Sequence, residues 1–223
     1  VRGAVWSSTH PLDFVYATSL TGEELARVKI PSYQKRGKLD YSPEGTCACP
    51  QIFFDPILAE KANSLPKINI RYKNRLKSFE QDNRKISAQV VDLNSGKSLV
   101  INAKYIVGCD GSGGTVREGL NILLDGLGTI ATSVNVFFRS SELATLHDKG
   151  WARFYRLIDE QKCWAELIAI DGKELWRLTV FNDQMPDKTG RSYLQKMAGQ
   201  DFSYEVIDVS PWERRDYLAQ SFH

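Results

Sequence analysis

Apolar and polar residues alternate along much of the chain, and this period of two is typical of half-buried β-strands. The runs 13–20 and 23–30 flank a Thr-Gly turn and are predicted to pair as a hairpin, although the second run also contains good helix formers. Five further strands, the last of them a buried apolar run, are predicted at 67–73, 75–81, 85–93, 98–103 and 105–108. The first half of the chain is therefore predicted to be rich in strands.

Helical spacing of apolar residues occurs in only a few segments. Residues 51–65 are predicted to form a helix that tolerates Pro56 in its first turn and carries apolar residues on one face. A serine cap and a glutamate favour a short helix at 141–147. Two more helices are predicted at 115–120 and 190–199, and a loop rich in Pro, Gly and Ser is predicted at 31–50.

The second half of the chain is predicted to form one largely antiparallel sheet. Its strands are expected at 130–139, 152–158, 162–170 and 174–182, followed by a further strand at 203–210. Asp171-Gly172 separates two of the alternating runs, which is a strong signal for a hairpin between 162–170 and 174–182. Strands with a few interspersed helices predict an α+β fold, with a mostly antiparallel sheet backed by helices.

The composition of the chain limits the kinds of molecule that it is expected to bind. The 223 residues include 29 Lys and Arg against 27 Asp and Glu, and this net charge of +2 gives no electrostatic case for nucleic acid or a membrane surface. No apolar run approaches the length of a membrane span, and the first residues do not resemble a signal peptide. We therefore expect a cytoplasmic protein without a nucleic-acid or membrane partner.

Cysteine and histidine give no sign of a metal site. Cys47 and Cys49 lack a second ligand pair at metal spacing, and Cys109 and Cys163 are isolated, so reduced structural thiols are expected. The three histidines lie in predicted loops or at the end of the chain, and no Ser, His and Asp grouping is evident. We predict no bound metal.

The stretch KYIVGCDGSGGTVRE, residues 104–118, carries the clearest candidate chemistry. Its glycines permit positive φ and leave backbone N–H groups uncovered, and a helix starting at Thr115 would direct its positive end toward a ligand in the loop. The carboxylate of Asp110 suits ribose or ribityl hydroxyls, or a water-bridged pyrophosphate, better than a bare phosphate. The alternative is a tight Asp-Gly turn between a strand and a helix.

This stretch resembles the Asp-Gly motif of FAD-dependent aromatic hydroxylases, the group that includes p-hydroxybenzoate and phenol hydroxylases. Gly113 departs from the motif, because the family usually carries a charged or polar residue there, commonly arginine. Three other stretches are similar to segments of the same family: 13–25, 41–62 and 206–223.

The resemblance implies a monooxygenase. In such enzymes NAD(P)H reduces FAD, and one oxygen atom of O2 is transferred to an electron-rich aromatic ring. The matching positions imply a set of cofactor-binding residues: Gln51, Asp110, Gly111, Ser112 and Arg117. Arg117 would fix the loop or meet an NAD(P)H phosphate, or it is an ordinary arginine on a helix face.

The small aromatic substrate would lie between the flavin and the sheet at 130–182. Candidate contacts are aromatic, with packing in the sheet core as the alternative for each: Phe138, Phe154, Tyr155, Trp164 and Trp176. No catalytic base is evident from the sequence.

The resemblance also implies a domain organisation. Residues 1–120 would form part of an FAD-binding domain with an inserted hairpin, 121–210 the substrate-binding sheet, and 211–223 a return segment. The family's N-terminal dinucleotide loop and its downstream Gly-Asp loop are not found, and the chain opens without methionine, so we expect a fragment of a protein whose FAD domain is α/β. Such a fragment is not expected to hold FAD at micromolar concentration, and its exposed edge is expected to favour self-association or partial disorder near Val1 and His223.

Two other function classes remain open. A related flavoenzyme, such as an epoxidase or a polyketide-tailoring hydroxylase, would share the motif. A non-enzymatic sheet domain would use the glycine loop only as a turn.

Overall fold

The computed structural model describes residues 6–36, 40–43, 48–183 and 187–222. Cys47, His223 and parts of the predicted loop at 31–50 lie outside the described residues. The elements in chain order are β1 (Phe14–Ala17), β2 (Glu24–Val28), α1 (Tyr33–Arg36), α2 (Gln51–Asn63), β3 (Asn74–Gln81), β4 (Ile86–Asp92), β5 (Ser98–Ala103), α3 (Thr115–Gly119), β6 (Leu124–Arg139), β7 (Phe154–Ile158), β8 (Cys163–Ala169), β9 (Leu175–Phe181), α4 (Arg191–Ala198) and β10 (Glu205–Ala219). In the described part of the chain, no helix is both long enough and apolar enough to cross a bilayer.

The chain forms two compact units. The first comprises Val1–Leu58 and Thr129–Arg214, and the second comprises Ala59–Gly128 and Arg215–His223. These boundaries differ from the predicted 1–120, 121–210 and 211–223, because β1 pairs with β7 and so joins the later strands. The functional assignment of the domains stays a prediction.

The first unit is built on a seven-stranded sheet in the order β10-β6-β9-β8-β7-β1-β2. The neighbours among β6, β9, β8 and β7 are antiparallel, as are β1 and β2, whereas β1 and β7 are parallel. The predicted single sheet and both predicted hairpins are confirmed. The turn between β8 and β9 forms because Gly172 adopts a φ of 69° and Asp171 Oδ1 accepts three backbone N–H groups.

One face of this sheet is the hydrophobic core. Alternate side chains of β6, β7 and β9 are buried there, and helix α4 buries Leu194, Met197 and Ala198 in the same cluster. The other face carries polar, charged and aromatic side chains at the intervening positions. An α+β fold, predominantly strand, is thus confirmed.

The second unit contains a three-stranded antiparallel sheet in the order β3-β4-β5. Helix α3 packs against β3: a Cβ atom added to Gly119 would lie 2.7 Å from Cε1 of Phe79. Asp82 and Asp92 close the two connecting turns by accepting backbone N–H groups, and these bonds lower the pKa of both carboxyls.

Two predicted strands are wrong. Residues 67–73 are irregular, since β3 begins only at Asn74 and Lys73 adopts a φ of 54° before it. Residues 105–108 are also not a strand, and Tyr105 and Val107 are 84% and 79% exposed. Alternation or an apolar run does not make a strand without a neighbour to pair with, and the structure gives neither segment a partner strand among the described residues.

Two helix predictions and one loop prediction also need correction. Residues 141–147 form turns, because both the N–H and the hydroxyl of Thr145 bond back to the Glu142 carbonyl while Leu143 is buried in the core. A short helix, α1, lies within the predicted loop at 31–50. Helix α2 is confirmed, but Pro56 lies in its second turn rather than its first, and none of its described residues is buried.

Buried charges attach the loop after β6 to the first hairpin. The ammonium group of Lys149, whose side chain is 3% exposed, donates to the Gly22 carbonyl at 2.6 Å. Arg27 donates to Asp13, Glu24 and the Lys149 carbonyl. These bonds satisfy groups that burial would otherwise leave unpaired, so they stabilise this end of the sheet.

His147, in the same loop, predicts a pH dependence of stability. Burial, with a smaller effect of the Lys149 charge, lowers its pKa to about 4 from the usual value near 6.5. Between these values the unfolded chain binds a proton that the folded chain does not, so stability falls as the pH drops from about 6.5 to about 4.

We expect His147→Gln to flatten this dependence, because glutamine does not titrate and its amide oxygen can still accept the Lys149 N–H bond seen at 3.1 Å. Urea midpoints at pH 7 and pH 4.5 measure it. His10, whose pKa is also lowered by burial, is present in both proteins and cancels. An equal loss of stability in both proteins would contradict the prediction.

Candidate functional site

The glycine-rich loop of the second unit is exposed from residue 107 to 113. Gly111 adopts a φ of 77°, which favours glycine. A Cβ atom on Gly108 would lie 2.7 Å from Cβ of Val116, and one on Gly114 would lie 2.6 Å from Oδ1 of Asp110. The glycines therefore allow the loop to fold closely onto the start of α3, and they leave its outer surface open.

Asp110 is exposed in this loop and accepts no hydrogen bond from the described residues. Gly111 and Ser112 beside it are also exposed. Helix α3 has only five residues, so its dipole is small and the carboxylate and the open backbone are the loop's main polar features. The three residues form a polar surface that a ligand can reach.

Arg117 lies across both ends of α3. One guanidinium nitrogen donates to the Ile122 carbonyl at 2.8 Å, and another lies 3.3 Å from Glu118 and 3.5 Å from the Ser112 carbonyl. Its Nε is buried and has no hydrogen-bond partner among the described residues. These contacts support a role in fixing the loop, and contact with an NAD(P)H phosphate stays a prediction.

Gln51 begins helix α2, where the N–H groups of Phe53 and Phe54 bond to the Pro50 carbonyl. Its side chain is exposed. It belongs to the first unit, whereas the other four candidate cofactor residues belong to the second.

Four of the five candidate substrate residues lie in the hydrophobic core: Phe138, Tyr155, Trp164 and Trp176. Tyr155 donates to the Gly150 carbonyl, and Trp176 donates to the Ser140 carbonyl. Phe154 alone lies on the opposite face, half-buried and stacked on Phe14 with ring centroids 4.6 Å apart. Alternation along the strands thus separates Phe154 from Phe138, Tyr155 and Trp176, whereas Trp164 lies where a register shift interrupts the pairing of β7 with β8.

A row of polar side chains crosses this opposite face. The strand registers place five residues side by side, in the order Asn135, Thr179, Glu166, Arg156 and Tyr16. Thr179 donates to Asn135 at 2.7 Å, and Arg156 donates to Glu166 at 2.9 Å and to the Tyr16 hydroxyl at 3.1 Å. The bond to Glu166 raises the pKa of Arg156, so the guanidinium group stays charged.

A cavity of about 570 Å³ opens beside this row, entirely within the first unit. Its lining residues come from four strands and the turn after β9: Ala131, Thr132, Ser133, Asn135, Glu166, Arg177, Thr179, Phe181, Asn182, Trp212 and Arg214. Sequence reasoning missed all of them. The signal was present, since Glu166, Arg177 and Thr179 are polar residues within otherwise apolar strands, and the strand register puts them on one face.

The family described as "FAD binding domain" matches residues 8–223, nearly the whole chain. The chain belongs to this family. Its membership confirms the resemblance on which the predicted cofactor was based.

Several of the named relatives are oxygenases from bacteria. A 2,4-dichlorophenol 6-monooxygenase of Cupriavidus pinatubonensis is 30% identical over 55% of this chain and 21% of the relative. A phenol 2-monooxygenase of Pseudomonas sp. is 24% identical over 93% and 34%, and the tetracenomycin B2 monooxygenase-dioxygenase of Streptomyces olivaceus is 26% identical over 100% and 43%. The chain thus spans less than half the length of these curated relatives.

Solved structures show the same fold. The rebeccamycin biosynthetic enzyme RebC with reduced flavin is 31% identical and superimposes with a TM-score of 0.86 over 98% of this chain and 41% of that one. Aklavinone-11 hydroxylase, in complex with FAD and aklavinone, is 22% identical with a TM-score of 0.82 over 98% and 44%. The second likeness is evidence for the fold alone.

Proposed function

We propose that the protein containing this chain is a flavin-dependent monooxygenase that hydroxylates a small aromatic substrate, using FAD, NAD(P)H and O2. The observation that carries the proposal is the exposed Asp110 loop, with its glycine cradle and its unpaired carboxylate, in a chain of the FAD-binding family. The names of the relatives, phenol and dichlorophenol monooxygenases among them, support the reaction class.

The residues of the loop fit a polyol and phosphate cofactor. The Asp110 carboxylate can accept hydrogen bonds from cofactor hydroxyls, and the backbone around Gly111 and Ser112 can donate to phosphate oxygens. Arg117 would hold the loop in shape, and the Gln51 amide would offer a further hydrogen bond. When bound, FAD supplies the electron transfer from NAD(P)H and the O2 chemistry.

The chain's part in catalysis is then to bind and orient the aromatic ring. We place the ring on the polar face of the seven-stranded sheet, with the cavity beside Asn135, Glu166 and Thr179 as its binding site. The hydrogen-bonded row keeps these side chains in fixed positions, which favours one orientation of the substrate. Phe154 lies on this same face and remains a predicted contact, whereas direct contact with the four core aromatics finds less support in their burial.

A polyketide-tailoring hydroxylase is the second candidate. A cavity of about 570 Å³ is larger than a single phenol ring needs. Two further relatives, both named as putative polyketide hydroxylases, also favour this candidate.

An absorption spectrum of the full-length protein tests the proposal first, since a flavoprotein must show bound flavin. NAD(P)H consumption is then followed with phenol, with a polycyclic phenol and with no substrate, while peroxide is measured alongside. Substrate-dependent NAD(P)H consumption with little peroxide is expected. A purified full-length protein without flavin, even after incubation with FAD, would refute it.

Asp110→Ala should weaken FAD binding or slow flavin reduction in the full-length protein. It removes a charged hydrogen-bond acceptor worth about 1.5 to 3 kcal/mol, equivalent to about a ten- to hundredfold change. FAD titration and stopped-flow reduction by NAD(P)H measure it.

Glu118→Ala is the matched control, because it removes another exposed carboxylate from the same short segment. Its pair with Arg117 is at the surface and contributes little, so FAD affinity should change less than about twofold. Equal behaviour of Asp110→Ala and the unmodified protein would contradict the role of Asp110.

Three further expectations remain proposals. A need for NAD(P)H supports a cytoplasmic location. The choice between NADH and NADPH follows from comparing reduction rates with each. Self-association as a homo-oligomer can be measured by light scattering of the full-length protein.

A further inference from the structure

Two unpaired arginines share the cavity on the polar face of the sheet. Arg177 and Arg214 both line it, and neither side chain forms a hydrogen bond or an ion pair with any described residue. Both side chains are exposed at the cavity surface. Guanidinium groups that are exposed and have no protein partner are available to a ligand. Arginine favours planar anions such as carboxylates because it donates two parallel hydrogen bonds.

The cavity has one carboxylate of its own, and that carboxylate is already neutralised. Glu166 accepts a bond from Arg156 at 2.9 Å, and its side chain is 15% exposed. The fixed charges of the cavity lining are therefore two arginines and one glutamate whose charge is balanced by a neighbour outside the lining. The electrostatic field in the cavity favours an anion and disfavours a cation.

Aromatic rings alternate with these arginines along the same strands. Phe181 lies four residues after Arg177 on β9, and Trp212 lies two residues before Arg214 on β10, so each ring shares a face with its arginine. All four residues line the cavity. Rings of this kind pack against flat aromatic ligands.

We propose that the cavity selects a planar polycyclic aromatic acid, with Arg177 and Arg214 as the residues that bind its anionic group. The inference rests on the proposed function, since it assigns a substrate class to the same site. The volume admits several fused rings, Phe181 and Trp212 contact the ring system, and Asn135 and Thr179 remain for hydroxyl groups. Arg177 and Arg214 thereby determine specificity without acting on the reacting atoms.

Binding of a matched acid and amide tests this. The full-length protein is titrated with 1-hydroxy-2-naphthoate and with the neutral 1-hydroxy-2-naphthamide by calorimetry, without NAD(P)H so that no turnover occurs. The acid should bind at least about tenfold more tightly than the amide. The difference should shrink as salt concentration rises, because the contacts are partly solvent-exposed.

Arg177→Gln and Arg214→Gln should each weaken binding of the acid by about tenfold and leave the amide within about twofold. Arg191→Gln is the matched control: this exposed arginine begins α4, which packs on the opposite, core face of the sheet. Circular dichroism verifies that each variant folds, and if one does not, the other carries the test.

Three outcomes would each overturn the inference. They are equal affinities for acid and amide, binding of neither probe at millimolar concentration, and an equal loss of affinity for both probes in the arginine variants. These outcomes are distinct from failure of the proposed function. A protein that contains flavin and consumes NAD(P)H with neutral phenols, but shows no preference for the acid, keeps the function and loses this substrate class. A protein without flavin loses the function, while the titration still reports on the cavity.

Discussion

Replacing Trp176 by alanine is expected to lower the free energy of unfolding by about 3 to 5 kcal/mol. The side chain is 1% exposed in the core of the seven-stranded sheet. It stacks on Trp151 with ring centroids 5.6 Å apart and an interplanar angle of 5°, and its Nε1 donates to the Ser140 carbonyl at 3.1 Å. Alanine would leave a large cavity and one buried carbonyl without its partner.

Trp212→Ala makes the same chemical change in the same unit at a site that is 48% exposed. It should cost less than about 1 kcal/mol, because little buried surface is lost. Urea unfolding followed by far-ultraviolet circular dichroism measures both variants. Similar losses in the two would mean that Trp176 is not packed in the core as described.

The contrast between these tryptophans shows where sequence reasoning succeeds. Period-two alternation predicts strands, because it is a property of each segment alone, and it placed the strands that contain Trp176, Tyr155 and Phe154. It also groups residues by face. It cannot say which face other elements will cover, since that depends on α4 and on the loop after β6, which are distant in sequence.

For that reason the aromatic side chains are weak guides to the open face of the sheet. Large apolar residues favour burial, and four of the five candidates lie in the core. The better signal was the set of charged residues at intervening positions of these apolar strands, since Arg156, Glu166 and Arg177 would be costly at core positions. A polar residue in an apolar strand marks the face that stays open to ligand or solvent.

The glycine loop was predicted well for a different reason. Its chemistry is local: positive φ at Gly111, close approach at Gly108 and an exposed carboxylate at Asp110 all follow from a few consecutive residues. The apolar run before it was predicted poorly, because a strand at 105–108 needs a pairing partner, and partners are not a local property. Local motifs are therefore a firmer basis here for predicting the conformation of a loop than for predicting strand pairing, and a cofactor site at this loop stays a prediction.

The second large effect on stability is expected where the long strands β6 and β10 lie side by side. Gly126, in β6, has a φ of 140°, and a Cβ atom there would lie 2.0 Å from the carbonyl oxygen of Asp216 and 3.1 Å from Cα of Tyr217. These neighbours are backbone atoms, which cannot rotate away. We expect Gly126→Ala to destabilise the pairing of β6 with β10 by about 2 to 6 kcal/mol, combining backbone strain with overpacking.

Gly128→Ala separates the two causes. Gly128 also has a positive φ, 84°, but its Cβ atom would meet only the Tyr217 hydroxyl, at an ordinary 3.6 Å. Gly128→Ala should cost about 1 to 2 kcal/mol from backbone conformation alone.

All five tryptophans lie in the first unit, so tryptophan fluorescence would not report the separation of β6 from β10 near residues 124–128. Hydrogen exchange of peptides covering 124–128 and 215–219 does report it, and faster exchange is expected in Gly126→Ala than in Gly128→Ala. Equal exchange in the two variants would show that crowding against Asp216 contributes nothing and that the strands separate enough to admit a side chain.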